Sequence, residues 1–256
     1  MSNYVKNLIK SKYRADKRAF LDHREIKITK DPSKYAEGST LLEIGNTKVV
    51  VGIKMDTGEP FKDSPNKGIL ITSAEFISFA SDDFEAGPPS PEAIELARVV
   101  DRGIRESKAI DFDKLCITPG EKVWIVFVDI YVLNHDGNLI DASGLAAMNA
   151  MLRARIPKLT KDNEVIREEY EGKVPVVKKP VPVTFYKILD QILVDATKEE
   201  EDASTTRLTI IFDDEGNIIG MQKIEPGGWT IEEIKSCLNH GKKIASKIRG
   251  EVLKDE

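Results

Sequence analysis

Alternating apolar and polar residues dominate the chain from about residue 25 to Ile71. "REIKITK" alternates with period two, "STLLEIGNTKVVVGIKM" holds two β-rich runs around "GNT", and "KGILITSAEFISFA" continues the theme. Gly45-Asn46 is a hairpin signal between the second and third runs. The stretch therefore predicts a meander of antiparallel strands. "EAGPPSP" breaks that pattern and starts a helix, with Ser90 as N-cap and Pro91 at the first helical position. Projected at about 100° per residue, Ala93, Leu96, Ala97, Val100, Gly103 and Ile104 fall on one face. Arg98, Arg102 and Arg105 fall on the opposite one.

"EKVWIVFVDIYVLN" is a nearly continuous apolar run, the pattern of a strand buried on both faces. "ASGLAAMNAMLRARI" follows as a helix that stops before Pro157, and its small residues permit close approach to a sheet. Residues 157–182 are polar and carry four prolines, Pro157, Pro175, Pro180 and Pro182, which predicts a connector with short strands. Strand-like runs then return in "VPVTFYKIL", "QILVDAT" and "TRLTIIFDDEGNIIGMQKIE". A long helix closes the chain, opened by the capping box Thr230 and Glu233. Strands followed by a closing helix thus occur twice, which predicts an α+β fold of two similar halves. The boundaries read as an N-terminal helical segment over 1–30, a first subdomain over 31–165 and a second over 166–256.

Composition narrows the chemistry. The 256 residues are 41% hydrophobic and 32% charged, enough apolar material for a sizeable core. Cys116 and Cys237 lie far apart without metal-ligand spacing and read as core residues in a reducing compartment. His23, His135 and His240 share no spacing that suggests a metal site or a catalytic triad. No apolar run approaches the roughly 18 residues of a membrane span, and the N-terminus lacks the apolar segment of a signal peptide. A cytoplasmic protein without membrane contact is expected. The formal net charge of −5 argues against coating a polyanion with the whole surface, so nucleic-acid contact requires a local basic stripe. Arg14, Lys17 and Arg18 read as the exposed end of an amphipathic helix, with RNA contact as the second reading. "EPGGWT", residues 225–230, lacks the Lys-Ser/Thr of a P-loop and reads as a turn.

The "RADKR…REI" start, "GSTLLEIGNTKVVVGI", "IELARVVDRGIRES", "VWIVFVDIYVLNHDGNLIDA", "ILVDATKEEED" and "GGWTIEEI" together resemble the RNase PH family, in order and over nearly the whole chain. Within it, the chain looks most like the non-catalytic RNase PH-like subunits of the archaeal exosome. The resemblance implies an RNase PH-like (ribosomal protein S5 domain 2-like) fold with two βαβα-type halves. It also implies a catalytic RNase PH-like sibling in a hetero-hexameric ring, cap subunits with S1 and KH domains, and single-stranded RNA as ligand. No cofactor is expected in this chain. The complex is expected to use inorganic phosphate and Mg2+, releasing nucleoside diphosphates from the 3′ end.

Active relatives hold the attacking phosphate at a Gly-Thr-Arg segment. Laid on that pattern, Asn138, Leu139 and Ile140 take the glycine, threonine and arginine positions. The hydroxyl and the guanidinium are both gone, so charge-assisted donors for a dianion are lost. Of the two aspartates in active relatives, Asp195 matches the first, while the second falls in "DASTTRL", where no acid stands on the strand. One carboxylate without its partner is a poor site for metal or proton transfer. Catalytic and metal-binding residues are therefore expected to be absent, and Glu199 to Asp202 read as a solvated turn. A self-sufficient phosphorolytic ribonuclease, using Asp195 and that turn, is the alternative. Arg102 and Arg105, then Arg98, are the candidate RNA contacts, because the matching helix in relatives faces the RNA channel. Taken without the resemblance, the stripe is a solvated face paired with Glu95, Asp101 and Glu106.

Overall fold

The computed structural model describes residues 2–254. Helix α1 (Ser2–Lys10) is shorter than the basic segment predicted to be helical, and residues 26–30 belong to a strand. A positive φ at Lys12 (62°) follows the end of the helix, and a second at Lys17 (65°) turns the chain again before Arg18 and Arg24. Val5 and Ile9 of α1 enter a small apolar cluster with Tyr186, Ile188, Leu193, Ala196 and Ala203. The N-terminal segment is thereby seated against the second half of the chain.

Strands β1 (Ile26–Lys30), β2 (Gly38–Ile44) and β3 (Thr47–Gly58) are consecutive antiparallel neighbours, as their alternation predicts. Strand β4 (Ile69–Phe76) departs from the expected meander. It pairs parallel with β6 (Lys122–Asn134), and β6 pairs antiparallel with β3. The sheet order is β1-β2-β3-β6-β4, with the short β5 (Cys116–Thr118) beside β6. Helix α2 (Pro91–Glu106) makes the crossover between β4 and β6 that a parallel pair requires. Strand β6 also corrects the expectation of burial on both faces. Val126, Val128, Ile130 and Val132 are buried, whereas Ile125, Phe127, Asp129 and Tyr131 are half-buried.

Helix α3 (Leu139–Met151) begins before Ala142 and ends well short of Pro157, and all thirteen of its residues are buried. It lies between the first sheet and a second one, close enough that a Cβ on Gly144 would stand 2.7 Å from Pro182 Cγ. That position explains its composition of small and apolar residues. The segment after it is a two-stranded ribbon, β7 (Arg155–Leu159) with β8 (Val165–Lys173), whose register shifts at Pro157. The second sheet has the order β10-β9-β11-β12, built from β9 (Val181–Ile188), β10 (Gln191–Val194), β11 (Thr206–Phe212) and β12 (Ile218–Ile224). Helix α4 (Lys198–Ala203) joins β10 to β11, and α5 (Ile231–Val252) packs on β9 and β11 behind the expected Thr230–Glu233 capping box. Each half therefore runs strands, helix, strands, helix, as the family resemblance implies, with α4 standing where a solvated turn was expected.

Candidate functional site

The sequence of α2 fixes a basic face. Ser90 Oγ accepts the Ala93 N–H at 3.2 Å and starts the helix at Pro91. Ala93, Leu96, Ala97, Val100, Gly103 and Ile104 are buried, so Arg98, Arg102 and Arg105 must face outward, and all three are exposed. They line an open hollow of about 260 Å³ with Thr72, Asp101 and Glu106. Their commitments differ. Arg105 donates to both Asp101 carboxylate oxygens (3.0 and 2.9 Å) and to the Leu70 carbonyl (3.0 Å). Arg102 reaches Gln222 Oε1 only at 3.4 Å, and Arg98 makes no hydrogen bond or ion pair among the described residues. Arg98 and Arg102 are the more available cations, with Arg105 held along the helix by its i,i+4 partner.

At the N-terminal end of α2, lined there by Pro91, Glu92, Glu95 and Leu96, lies a larger cleft of about 1170 Å³, with Leu139 and Ile140 in its wall. The turn before α3 demands its residues. Gly137 has φ 81°, and a Cβ there would lie 2.3 Å from the Ala196 carbonyl oxygen. Asn138 is left-handed (φ 59°) and fully buried. Its Nδ2 donates to Asp195 Oδ1 at 2.9 Å. Asn138 and Asp195, far apart in sequence, thus meet, while Leu139 and Ile140 bring only aliphatic surface to the cleft.

Asp195 is not a free carboxylate. Five donors hold it: Arg18 Nη1 (2.9 Å), the Arg24 backbone N–H (2.7 Å), Arg24 Nε (2.9 Å), Arg24 Nη2 (2.7 Å) and Asn138. Burial alone would raise its pKa, but the hydrogen bonds and charge of Arg24 bring it down to about 2. Every face a divalent cation would need is taken by a donor. The site does not fit Mg2+.

Arg14, expected at an exposed helix end, is only 2% exposed. Its guanidinium pairs with both oxygens of Glu200 (2.9 and 2.5 Å) and donates to the Val194 and Asp195 carbonyls (3.0 and 2.8 Å). Residues 199–202 are correspondingly no solvated turn. They lie in α4, capped by Thr197 and Glu200, and they place Glu200 in the interior. Glu201, the next residue, lines the cleft together with Tyr186 and Arg207. Sequence reasoning held Glu201 only as part of the acidic turn of the alternative reading and missed Tyr186 and Arg207, although the "TKEE" capping box at Thr197 was there to reveal α4. His135 also lines the cleft and stacks on Phe84, with ring centroids 5.4 Å apart. Trp124 and Cys237 are core residues, Cys116 is half-buried, and Trp229 in the "EPGGWT" turn donates to Thr206 Oγ1 at 3.1 Å.

Residues 22–157 match the family model "3′ exoribonuclease family, domain 1", and residues 179–244 match "3′ exoribonuclease family, domain 2". The chain is 47% identical to the exosome complex component Rrp42 of Pyrococcus furiosus, over 99% of this chain and 92% of that protein. Among solved structures, it resembles a chain of the Archaeoglobus fulgidus exosome with RNA bound to the active site. There the TM-score is 0.92 at 42% identity, covering 98% of this chain and 96% of the other. A second match, to an archaeal exosome core, has a TM-score of 0.89 at 39% identity and covers 99% and 96% of the two chains.

Proposed function

Because the chain belongs to the 3′ exoribonuclease family typified by RNase PH, we propose that it is a non-catalytic, RNA-binding subunit of an archaeal exosome, a phosphorolytic 3′→5′ exoribonuclease. In this reading it alternates with a catalytic RNase PH-like subunit in a hexameric ring that carries S1/KH cap subunits. The observation that carries the assignment is the fivefold engagement of Asp195 by Arg18, Arg24 and Asn138. A carboxylate so held can neither accept a proton near neutral pH nor ligate a metal. Inorganic phosphate and Mg2+ are then bound by the catalytic partner. This chain's share of the work is the α2 arginine face. Guanidinium forks pair with phosphodiester oxygens irrespective of base, which suits a path that RNA of any sequence must follow.

The test is to incubate the purified chain with single-stranded RNA, inorganic phosphate and Mg2+, alone and with the catalytic partner. Nucleoside diphosphate release is expected only from the mixture. Release by the chain alone would establish the self-sufficient ribonuclease instead. Replacing Arg98 and Arg102 together by glutamate is expected to weaken RNA binding and processing by the mixture while its assembled size stays constant.

A further inference from the structure

We infer that Glu201 is a built-in anion: its carboxylate fills the phosphate seat at the head of α3, so the cleft is shut to inorganic phosphate by occupancy. The inference rests on reading Asn138–Ile140 as a degenerate phosphate turn, and it adds a second cause of inactivity to the lost cation.

Donors from three separate elements converge on this one side chain. The Asn138 backbone N–H, at the N-cap of α3, reaches Glu201 Oε2 at 3.0 Å, and the Tyr186 hydroxyl of β9 reaches the same oxygen at 3.2 Å. Arg207 of β11 bonds the other oxygen through Nη1. A helix N-terminus, a phenol and a guanidinium make an oxyanion set. Tyr186 stays a donor, since burial first and the charge of Glu201 next push its ionisation well above the ordinary range. Arg207 also carries spare capacity. Its Nε is buried without a hydrogen bond, and its nearest ionic neighbour there is Glu225 Oε1 at 3.4 Å.

The seat is held in place from behind. Asn138, whose N–H points at Glu201, is itself locked by its side-chain bond to Asp195. Glu201 sits on α4 beside Glu200, which Arg14 fixes in the interior. Its side chain is 12% exposed, so it closes the seat from the cleft side. Two other acids on the cleft wall, Asp83 (3.0 Å) and Asp202 (2.5 Å), are bridged by Lys198, while Glu75, Glu85, Glu92 and Glu95 line it farther out along the chain from the seat.

The experiment titrates the isolated chain with inorganic phosphate and follows binding by phosphorus NMR and calorimetry. The wild type is compared with Glu201→Ala, with Glu201→Gln, and with Glu201→Ala combined with Glu225→Gln, which keeps Glu225 from taking over Arg207. At least about tenfold tighter phosphate binding than wild type is expected in the alanine variants, and its loss again on adding Arg207→Gln. Circular dichroism and a cooperative melt identify the folded variants. If alanine at 201 prevents folding, Glu201→Ser, which also empties the seat, decides; the glutamine variant keeps the shape, and binding as weak as wild type is expected of it. No gain in a folded alanine or serine variant, or wild-type binding as tight as that of those variants, overturns the inference. Phosphorolysis by the wild-type chain alone would instead overturn the non-catalytic assignment, so the two failures are separable.

Discussion

His23, Asp195 and Asp141 set how stability answers acid, and they pull in different directions. Asp195 has its pKa lowered from 3.8 to about 2, so its contribution is present above pH 3.8 and is lost as pH falls through 2. His23 is lowered from 6.5 to about 4, by burial first and then by the surrounding arginines against the attraction of Asp195. Its contribution is present above pH 6.5 and is lost as pH falls to 4. Asp141, fully buried in α3, is raised from 3.8 to about 7, so its contribution grows as pH falls through that window. Wild-type stability is therefore expected to vary little between pH 6.5 and 4 and to fall below it, as Asp195 and Asp213, both lowered to about 2, take up protons. Relative to wild type, His23→Gln is expected to gain stability on acidification from pH 7 to 4, with His135, also lowered by burial, still opposing Asp141 there. Urea midpoints across that range check both. At this scale the exposed arginines and the aliphatic turn were legible, because helix projection and local motif carry that information. The burial of Arg14 was not, since it depends on Glu200, 186 residues away.

Helices proved easier to read than strand order. The Ser90 and Thr230 caps, the strand, helix, strand, helix sequence of the first half and the closing helix of the second follow from local pattern. The parallel seat of β4 does not, because the residues of this edge strand suit either neighbour and the choice is made by β6, about fifty residues later. Likewise α4 is only six residues long, and its acidic run looks solvated until Arg14 and Arg207 arrive from elsewhere in the chain. Its capping box is then more than local trim. Thr197→Ala is expected to cost about 1 kcal/mol, read as a shift in the urea midpoint. It should also loosen Glu200 and Glu201, seen as faster amide exchange over residues 198–203.

For the whole molecule, charge placement matters more than its sum. A chain of net charge −5 presents the arginines along the later turns of α2 and an acid-lined cleft at the N-terminal end of that helix, with Glu95 and Gln222 between them. RNA is thus attracted to the arginine stretch and repelled from the cleft. Binding by the mixed complex is expected to weaken steeply with salt. Replacing Arg98 and Arg102 should flatten the slope of log affinity against log salt by about 0.7 for every phosphate of the single strand that is no longer neutralised. Fluorescence anisotropy with labelled RNA at several salt concentrations measures it.

The bond between Arg14 and Glu200 also dictates a schedule for synthesis. As the nascent chain leaves the ribosome, α1 and the arginines behind it emerge first, but their partners arrive only after most of the polypeptide has been made. Until then Val5, Ile9 and the Arg14 guanidinium stay without their seats, while Arg18 has Asp16 and Arg24 has Asp136 in place of Asp195. A ribosome that stalls before residue 200 leaves a first sheet with a loose cationic arm, a ready target for chaperones and proteases.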